Sequence, residues 1–262
     1  MSSKFKSNPY NPNNRYITSE DVLNIFSKVN IKDIKIKNLS IYQTAFNHKS
    51  YCFMKDYEDY TKPDDCIELQ NTNYDNLEFL GDAFLDVVIA EYLYKRYNTQ
   101  SEGFLTTIKT RLVNGEQEAR YSIFLEINNL VLLSKYVEEK CNGRNSTNIL
   151  EDVFEAFIGA LYLDTNDFTS VKKFIINLIE SYVDFPELIM NDKNYKEQIM
   201  KYFQHNYNSN PTYEHITTEN EIFRCNVLYE SKILATGEGK TKKKAEQDAA
   251  CRALILENVV SK

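Results

Sequence analysis

Residues 76–97 read NLEFLGDAFLDVVIAEYLYKRY. Leu77, Leu80, Phe84, Val88 and Leu93 return at helical intervals, which predicts a long helix with a wide buried stripe. Glu78 and Asp82, four apart, share one face of that helix, and Asp75 and Asp86 extend the row. Carboxylates inside so apolar a run need an explanation. Burying them beside one another is costly unless something cationic compensates.

A second stretch repeats the pattern. Residues 151–164 read EDVFEAFIGALYLD, and Asp152 and Glu155 are three apart on another apolar helix. One acidic pair alone is ordinarily a solvated face. Two pairs within apolar runs make four hard oxygen donors, a set suited to Mg²⁺ or Mn²⁺. Such a set fits metal-assisted hydrolysis of a phosphodiester.

Outward from these stretches, the pattern predicts helices over 19–28 with Ser19 as N-cap, 38–47, 102–121, 149–162 and 171–182. No strand alternation appears before Asp184, so this region reads as all-α. Residues 1–18 are polar with two prolines and read as a disordered arm. Residues 52–72 are acidic, lack clean periodicity and read as a loop insertion. Phe185-Pro186 breaks the helical run, and the character then changes. The remainder reads helix (195–207), strands (212–217, 221–229, 232–239) and helix (242–258), with Tyr229-Glu230-Ser231-Lys232 as a hairpin turn.

The chain has 262 residues and a net charge of −7. Residues 193–262 carry 11 Lys and Arg against 9 Asp and Glu, net +2, while residues 1–192 are net −9. A basic tail on an acidic body suits a tail that finds polyanions and a body that holds cations. Five cysteines without a CxxC pair argue against a zinc site or a disulfide framework. With no secretory h-region and no apolar run of membrane-spanning length, the expectation is an intracellular, cytoplasmic protein with no membrane partner.

Residues 237–250, GEGKTKKKAEQDAA, carry the clearest tail signal. Thr241 can cap a helix whose N-terminal end offers Lys240, Lys242 and Lys243 to phosphate, together with the helix dipole. The small residues Ala245, Ala249 and Ala250 let the helix lie close on a sheet. Alone, the lysine run is equally a charged solvent face.

Residues 76–82 (NLEFLGD) resemble the signature of the ribonuclease III family, and 151–164 resemble its second acidic motif. Glu102-Gly103 with Leu105-Thr106 and Arg111-Leu112-Val113-Asn114 are similar to its middle segment. Residues 45–51 (AFNHKSY) are similar to its first box. The four motifs stand in family order across about 38–185. The α-β-β-β-α tail over about 193–258 resembles a double-stranded-RNA-binding domain, with Pro211-Thr212-Tyr213-Glu214 similar to its first strand. The resemblance implies an all-α ribonuclease III domain (19–185) followed by a small α+β RNA-binding domain (193–260). It implies that Glu78, Asp82, Asp152 and Glu155 are the catalytic, metal-holding carboxylates, with Mg²⁺ as cofactor and Mn²⁺ as a substitute. It also implies double-stranded RNA as partner, products with 5′-phosphate and 3′-hydroxyl ends, and a homodimer through the nuclease domain.

Asp75 stands where bacterial members usually carry Glu. The loop Thr218-Glu219-Asn220 lacks the usual Gly-Pro-x-His element, and Met200-Lys201 replaces a common Gln-Glu pair. Both departures predict weaker RNA binding than in a standard domain. Phe79 is either a dimer anchor or core. Lys109, Arg111 and Arg144 are either phosphate contacts or surface cations, and His48 reads as a packing or hydrogen-bonding histidine rather than a general base. The alternative function is a catalytically silent RNA-binding dimer. Lost carboxylates would mark it, and all four are present.

Overall fold

The computed structural model describes residues 7–190, 194–216, 222–257 and 259. The chain divides into two compact units, 1–188 and 189–262.

In the first unit the described residues form nine helices: α1 (Ser19–Lys28), α2 (Leu39–Ala45), α3 (Asp75–Arg96), α4 (Glu102–Leu112), α5 (Gly115–Phe124), α6 (Lys135–Cys141), α7 (Thr147–Thr165), α8 (Phe168–Tyr182) and α9 (Phe185–Met190). Helix α7 is buried almost all round from Val153 to Leu161, as a central helix must be. Helices α2, α3, α5 and α8 pack on it. Phe157 anchors the core, with the rings of Phe26, Tyr42 and Phe174 centred 5.3, 5.6 and 5.4 Å away. Along α3 the buried line is Leu77, Gly81, Leu85, Val88 and Leu93. Leu80 and Phe84, expected in that stripe, are only half-buried, and Phe84 stacks on Tyr162 at 4.3 Å.

Several expectations are corrected. Residues 7–18 are packed rather than a disordered arm. Tyr10, Asn11, Asn14 and Ile17 are buried, and Asn11 and Asn14 both donate to the carbonyl of Leu133, at 3.0 and 2.9 Å. Leu133 N–H donates back to Asn14 Oδ1, so an asparagine amide pairs with backbone as a strand would. The cap of α1 is Thr18, not Ser19, because Thr18 and Asp21 form a reciprocal capping box. The helix expected over 102–121 is two helices. Asn114 accepts from Gln117 N–H and starts α5 afresh. Pro186 occupies the first turn of α9, where a missing N–H costs nothing. The insertion over 52–72 is a loop closed on itself by Phe53 N–H to Gln70 O and Gln70 N–H to Tyr51 O.

The second unit runs α10 (Tyr195–Tyr207), β1 (Thr212–Ile216), β2 (Phe223–Tyr229), β3 (Lys232–Gly239) and α11 (Lys242–Leu256). The sheet is antiparallel in the order β1-β2-β3, with Tyr213 opposite Val227 and Val227 opposite Ala235. Glu230 and Ser231 both take positive φ between β2 and β3, the backbone of a two-residue hairpin turn. Ile199, Phe203, Val227, Ala235, Ala249, Ala250, Ala253 and Leu254 form the core.

Candidate active site

Helices α3 and α7 meet backbone to backbone. A Cβ at Gly81 would lie 1.7 Å from the Glu155 carbonyl oxygen, and one at Gly159 would lie 2.3 Å from that of Leu77. Glu78 and Asp82 flank Gly81, and Glu155 is the residue that Gly81 touches. This crossing sets the four carboxylates expected from the sequence on facing helices.

They fall into two groups. In one, Asp152 Oδ2 accepts from the Tyr74 hydroxyl at 2.9 Å. Burial raises the Asp152 carboxyl, while Tyr74 and Lys49 oppose the rise. Glu78 is raised by burial first and then by Asp152. In the other group, Glu155 is 8% exposed. Its carboxyl is pushed well up, first by burial and then by Glu118, with Asp82 and Glu151 adding to the rise. Asp82 is itself raised, by burial and then by Asp86.

Among the described residues, the carboxylates close enough to share a cation are Glu118, Glu151 and Glu155, whose candidate ligand oxygens lie within 4.8 Å of one another. Ionised neighbours at that spacing repel by about 3–4 kcal/mol per pair at an effective dielectric of about 20. Gly115 makes room for them, since a Cβ there would lie 2.4 Å from Glu151 Oε2. Glu118 is 3% exposed, is pushed up by burial, and its Oε2 has no hydrogen-bond partner. Neither Glu118 nor Glu151 is among the four carboxylates that the sequence motifs single out. The available signal was that Glu118, Tyr121 and Ser122 share one face of α5, and all three are buried.

The other candidates separate clearly. His48 is buried, its Nδ1 accepts from Ser50 N–H at 3.1 Å, and burial lowers it to about 4, so it is a neutral capping residue. Arg144 donates to the carbonyls of Asn128 and Val131 and pairs with Glu138 at 3.0 Å. Arg111 donates to the Leu188 carbonyl. Lys109 pairs with Asp86 at 2.9 Å. These three cations are therefore engaged within the unit. Phe79 is 81% exposed and is not core.

In the second unit, Gly237 and Gly239 let α11 press on β3. A Cβ at Gly237 would lie 2.1 Å from Ala249 N, and one at Gly239 2.6 Å from Ala245 N. Thr241 Oγ1 accepts from Lys244 N–H. Lys240, Lys242 and Lys243 are exposed, and among the described residues none of the three is in an ion pair. Lys201 pairs with Glu197 at 2.5 Å. The 218–220 loop lies outside the described residues.

A helical unit with carboxylates at its central crossing is thus followed by an α-β-β-β-α unit with Lys240, Lys242 and Lys243 exposed at a helix start. The Ribonuclease-III-like family matches residues 38–182, and the double-stranded RNA binding motif matches residues 195–256. The chain is 35% identical over 227 residues to ribonuclease 3 of Staphylococcus epidermidis, covering 85% of this chain and 87% of that one. It is 36% identical over 225 residues to ribonuclease 3 of Streptococcus pneumoniae, covering 84% and 91%. It is also 31% identical to a probable ribonuclease 3 of Acanthamoeba polyphaga mimivirus, covering 92% of this chain but only 46% of that longer one. The nuclease domain of ribonuclease III from Campylobacter jejuni superposes with a TM-score of 0.50 at 29% identity, over 63% of this chain and 99% of that one. The chain belongs to the ribonuclease III family and is a double-stranded-RNA-specific endoribonuclease.

Proposed function

We propose that the chain hydrolyses double-stranded RNA with Mg²⁺, or Mn²⁺ in its place, held by Glu78, Asp82, Asp152 and Glu155. The observation that carries this reading is the pair of facing helices α3 and α7, whose four carboxyls are all raised by desolvation and further by a nearby acid, Glu155 most of all. The donors present fit such a cation. All are carboxylate oxygens, the choice of hard divalent ions, and beside Glu155 a buried oxygen of Glu118, outside the four, has no hydrogen-bond partner. Bound there, a divalent cation supplies Lewis-acid charge and lowers the pKa of water.

The chain's own residues do the rest. Tyr74 holds Asp152 in one orientation. The close α3–α7 contact fixes the spacing of the two helices, so the donors are preorganised. Lys240, Lys242 and Lys243 grip phosphates of the duplex, with the α11 N-terminus adding its dipole. Water adds to phosphorus and gives up a proton as the bond to the 3′ oxygen breaks, and that oxygen takes a proton from solvent, which leaves 5′-phosphate and 3′-hydroxyl ends. One cluster per chain serves one strand, so double-strand cleavage calls for a two-fold homodimer. Phe79, exposed one residue from Glu78, is the anchor suited to that contact.

The test is cleavage of an end-labelled perfect RNA duplex with Mg²⁺, by wild type, by Glu155→Gln, and by wild type in EDTA. Wild type is expected to cut. The amide variant is expected to lose at least about 100-fold, and EDTA to abolish cleavage. A wild type that binds the duplex yet never cuts it with Mg²⁺ or Mn²⁺ would make the chain a silent RNA-binding dimer.

A further inference from the structure

Glu118 lies on α5, apart from the two helices that carry Glu78, Asp82, Asp152 and Glu155. Asn114 caps the start of α5, and one turn beyond Glu118 the Ser122 hydroxyl donates to the Leu150 carbonyl at 2.6 Å. Leu150 precedes Glu151. Helix α5 is thus pinned to α7 beside the carboxylates, and Glu118 is held there rather than drawn there by a flexible loop. Its side chain is almost wholly enclosed, and its Oε2 meets no donor.

A buried carboxylate with a bare oxygen normally finds an N–H, a hydroxyl or a cation. The Glu118 carboxyl bonds that of Glu155, and among the described residues no such group meets its Oε2. Its charged neighbours are Glu155, Glu151, Asp82 and Asp86, all acidic. The nearby Lys109 is spent on Asp86, and Lys49 acts on Glu78 and Asp152. A proton shared between Glu118 and Glu155 would relieve that pair and leave Glu151 and Asp82 uncompensated. A divalent cation relieves all of them at once, and the oxygens of Glu118, Glu151 and Glu155 already lie within 4.8 Å of one another.

We infer that Glu118 is a further ligand of the divalent cation, gripping it together with Glu155 and Glu151. This rests on the metal reading above and adds a third helix, α5, to the two that carry the four carboxylates. Glu118 thereby couples the placement of α5 to metal occupancy.

The test reads metal binding directly, without RNA. Full-length protein is titrated with Mn²⁺ alone, free Mn²⁺ is followed by electron paramagnetic resonance, and melting temperature is recorded with Mn²⁺ and with EDTA. Wild type, Glu118→Gln, Glu118→Leu and Glu155→Gln are compared. The EDTA melts establish that each variant folds, and the leucine variant, which fills the same space without charge, carries the test where the amide is not tolerated. Both Glu118 variants are expected to bind Mn²⁺ at least about tenfold more weakly and to lose most of the Mn²⁺-induced rise in melting temperature. If they bind within about twofold of wild type while Glu155→Gln does not, Glu118 is no ligand, although the metal reading stands. If wild type itself binds no Mn²⁺, both fall together.

Discussion

Helix α3 meets α7 in the nuclease unit, and strand β3 meets α11 in the RNA-binding unit, by the same means. Glycines at the contact bring main chain against main chain: Gly81 and Gly159 in the first, Gly237 and Gly239 in the second. What flanks those glycines differs. Around Gly81 the neighbours are carboxylates, of which Glu155 is buried and, with Glu118 of α5, raised by burial. Beyond Gly239 the neighbours are lysines that project into water. Close backbone approach is therefore a neutral device. In one unit it concentrates negative charge in a low-dielectric crossing, where a cation is wanted. In the other it flattens a helix onto a sheet so that its N-terminal end is free to meet phosphate.

The sharpest way to break the comparison is to fill both contacts. Gly81→Ala places a methyl group 1.7 Å from a carbonyl oxygen that belongs to a central helix. The cost is about 3 kcal/mol or more, a fall of roughly 10 °C in melting temperature, and cleavage is lost with it. Gly237→Ala is expected to destabilise only the small unit, abolishing duplex binding while Mn²⁺ binding by the nuclease unit persists. Calorimetry on the full chain should show a different transition moved by each variant. If Gly237→Ala moves the transition that Gly81→Ala moves, the two units do not unfold independently.

Acidity separates the contacts next. Glu118 and Glu155 have folded-state pKa values above their ordinary 4.5. The native state therefore holds protons that the unfolded chain releases. Their contribution to stability is complete below about pH 4.5 and is lost as pH rises through the raised values. In EDTA the melting temperature is expected to fall between pH 5 and pH 8, and Glu155→Gln should flatten most of that fall. A metal-free melting temperature equally steep in both proteins would show that the cluster is not the source. At neutral pH, saturating Mg²⁺ should restore what ionisation removes. The lysine contact has no counterpart to this slope.

Salt, in contrast, acts on the lysines. Each of Lys240→Ala, Lys242→Ala and Lys243→Ala should lower the slope of log Kd against log salt by about 1, with cleavage at saturating duplex unchanged. A triple variant that keeps the wild-type slope would move the phosphate contact elsewhere. The wild-type slope should itself be shallow, because Met200-Lys201 and the 218–220 loop depart from the usual pattern. A slope as steep as that of a many-contact binder would refute this.

Much of this was legible in the sequence, for physical reasons. Helix α10 and strand β3 begin and end where periodicity and turn residues place them. The two acidic motifs lie on long helices, where spacing alone determines the shared face. Contacts between residues distant in sequence were not legible. The asparagines at 11 and 14 act on Leu133, more than a hundred residues away, and a polar, proline-containing stretch gives no local hint of such a partner. The break at Asn114-Gly115 was hidden because apolar residues continue at helical spacing on either side of it. Reading through that break also hid Glu118. Its burial follows from the new phase in which α5 starts, and an acidic residue on the inward face of an otherwise packed helix was the signal to follow.

The smallest expected effect compares the two helix starts. Thr241 caps α11 through Lys244 N–H, whereas Ser146 at the start of α7 makes no side-chain cap. Thr241→Ala should cost about 1 kcal/mol, with the loss confined to the turn that carries Lys242 and Lys243. Fraying there spreads the lysines over more positions, so duplex affinity should fall slightly although no charge has changed. Ser146→Ala should alter neither stability nor cleavage measurably, because α7 is held by packing along its whole length rather than at its first turn. Thermal melts and duplex titrations on the two variants decide the matter. If Ser146→Ala proves the costlier of the two, the nuclease helix depends on its end, and the contrast between a packed helix and a capped one is wrong.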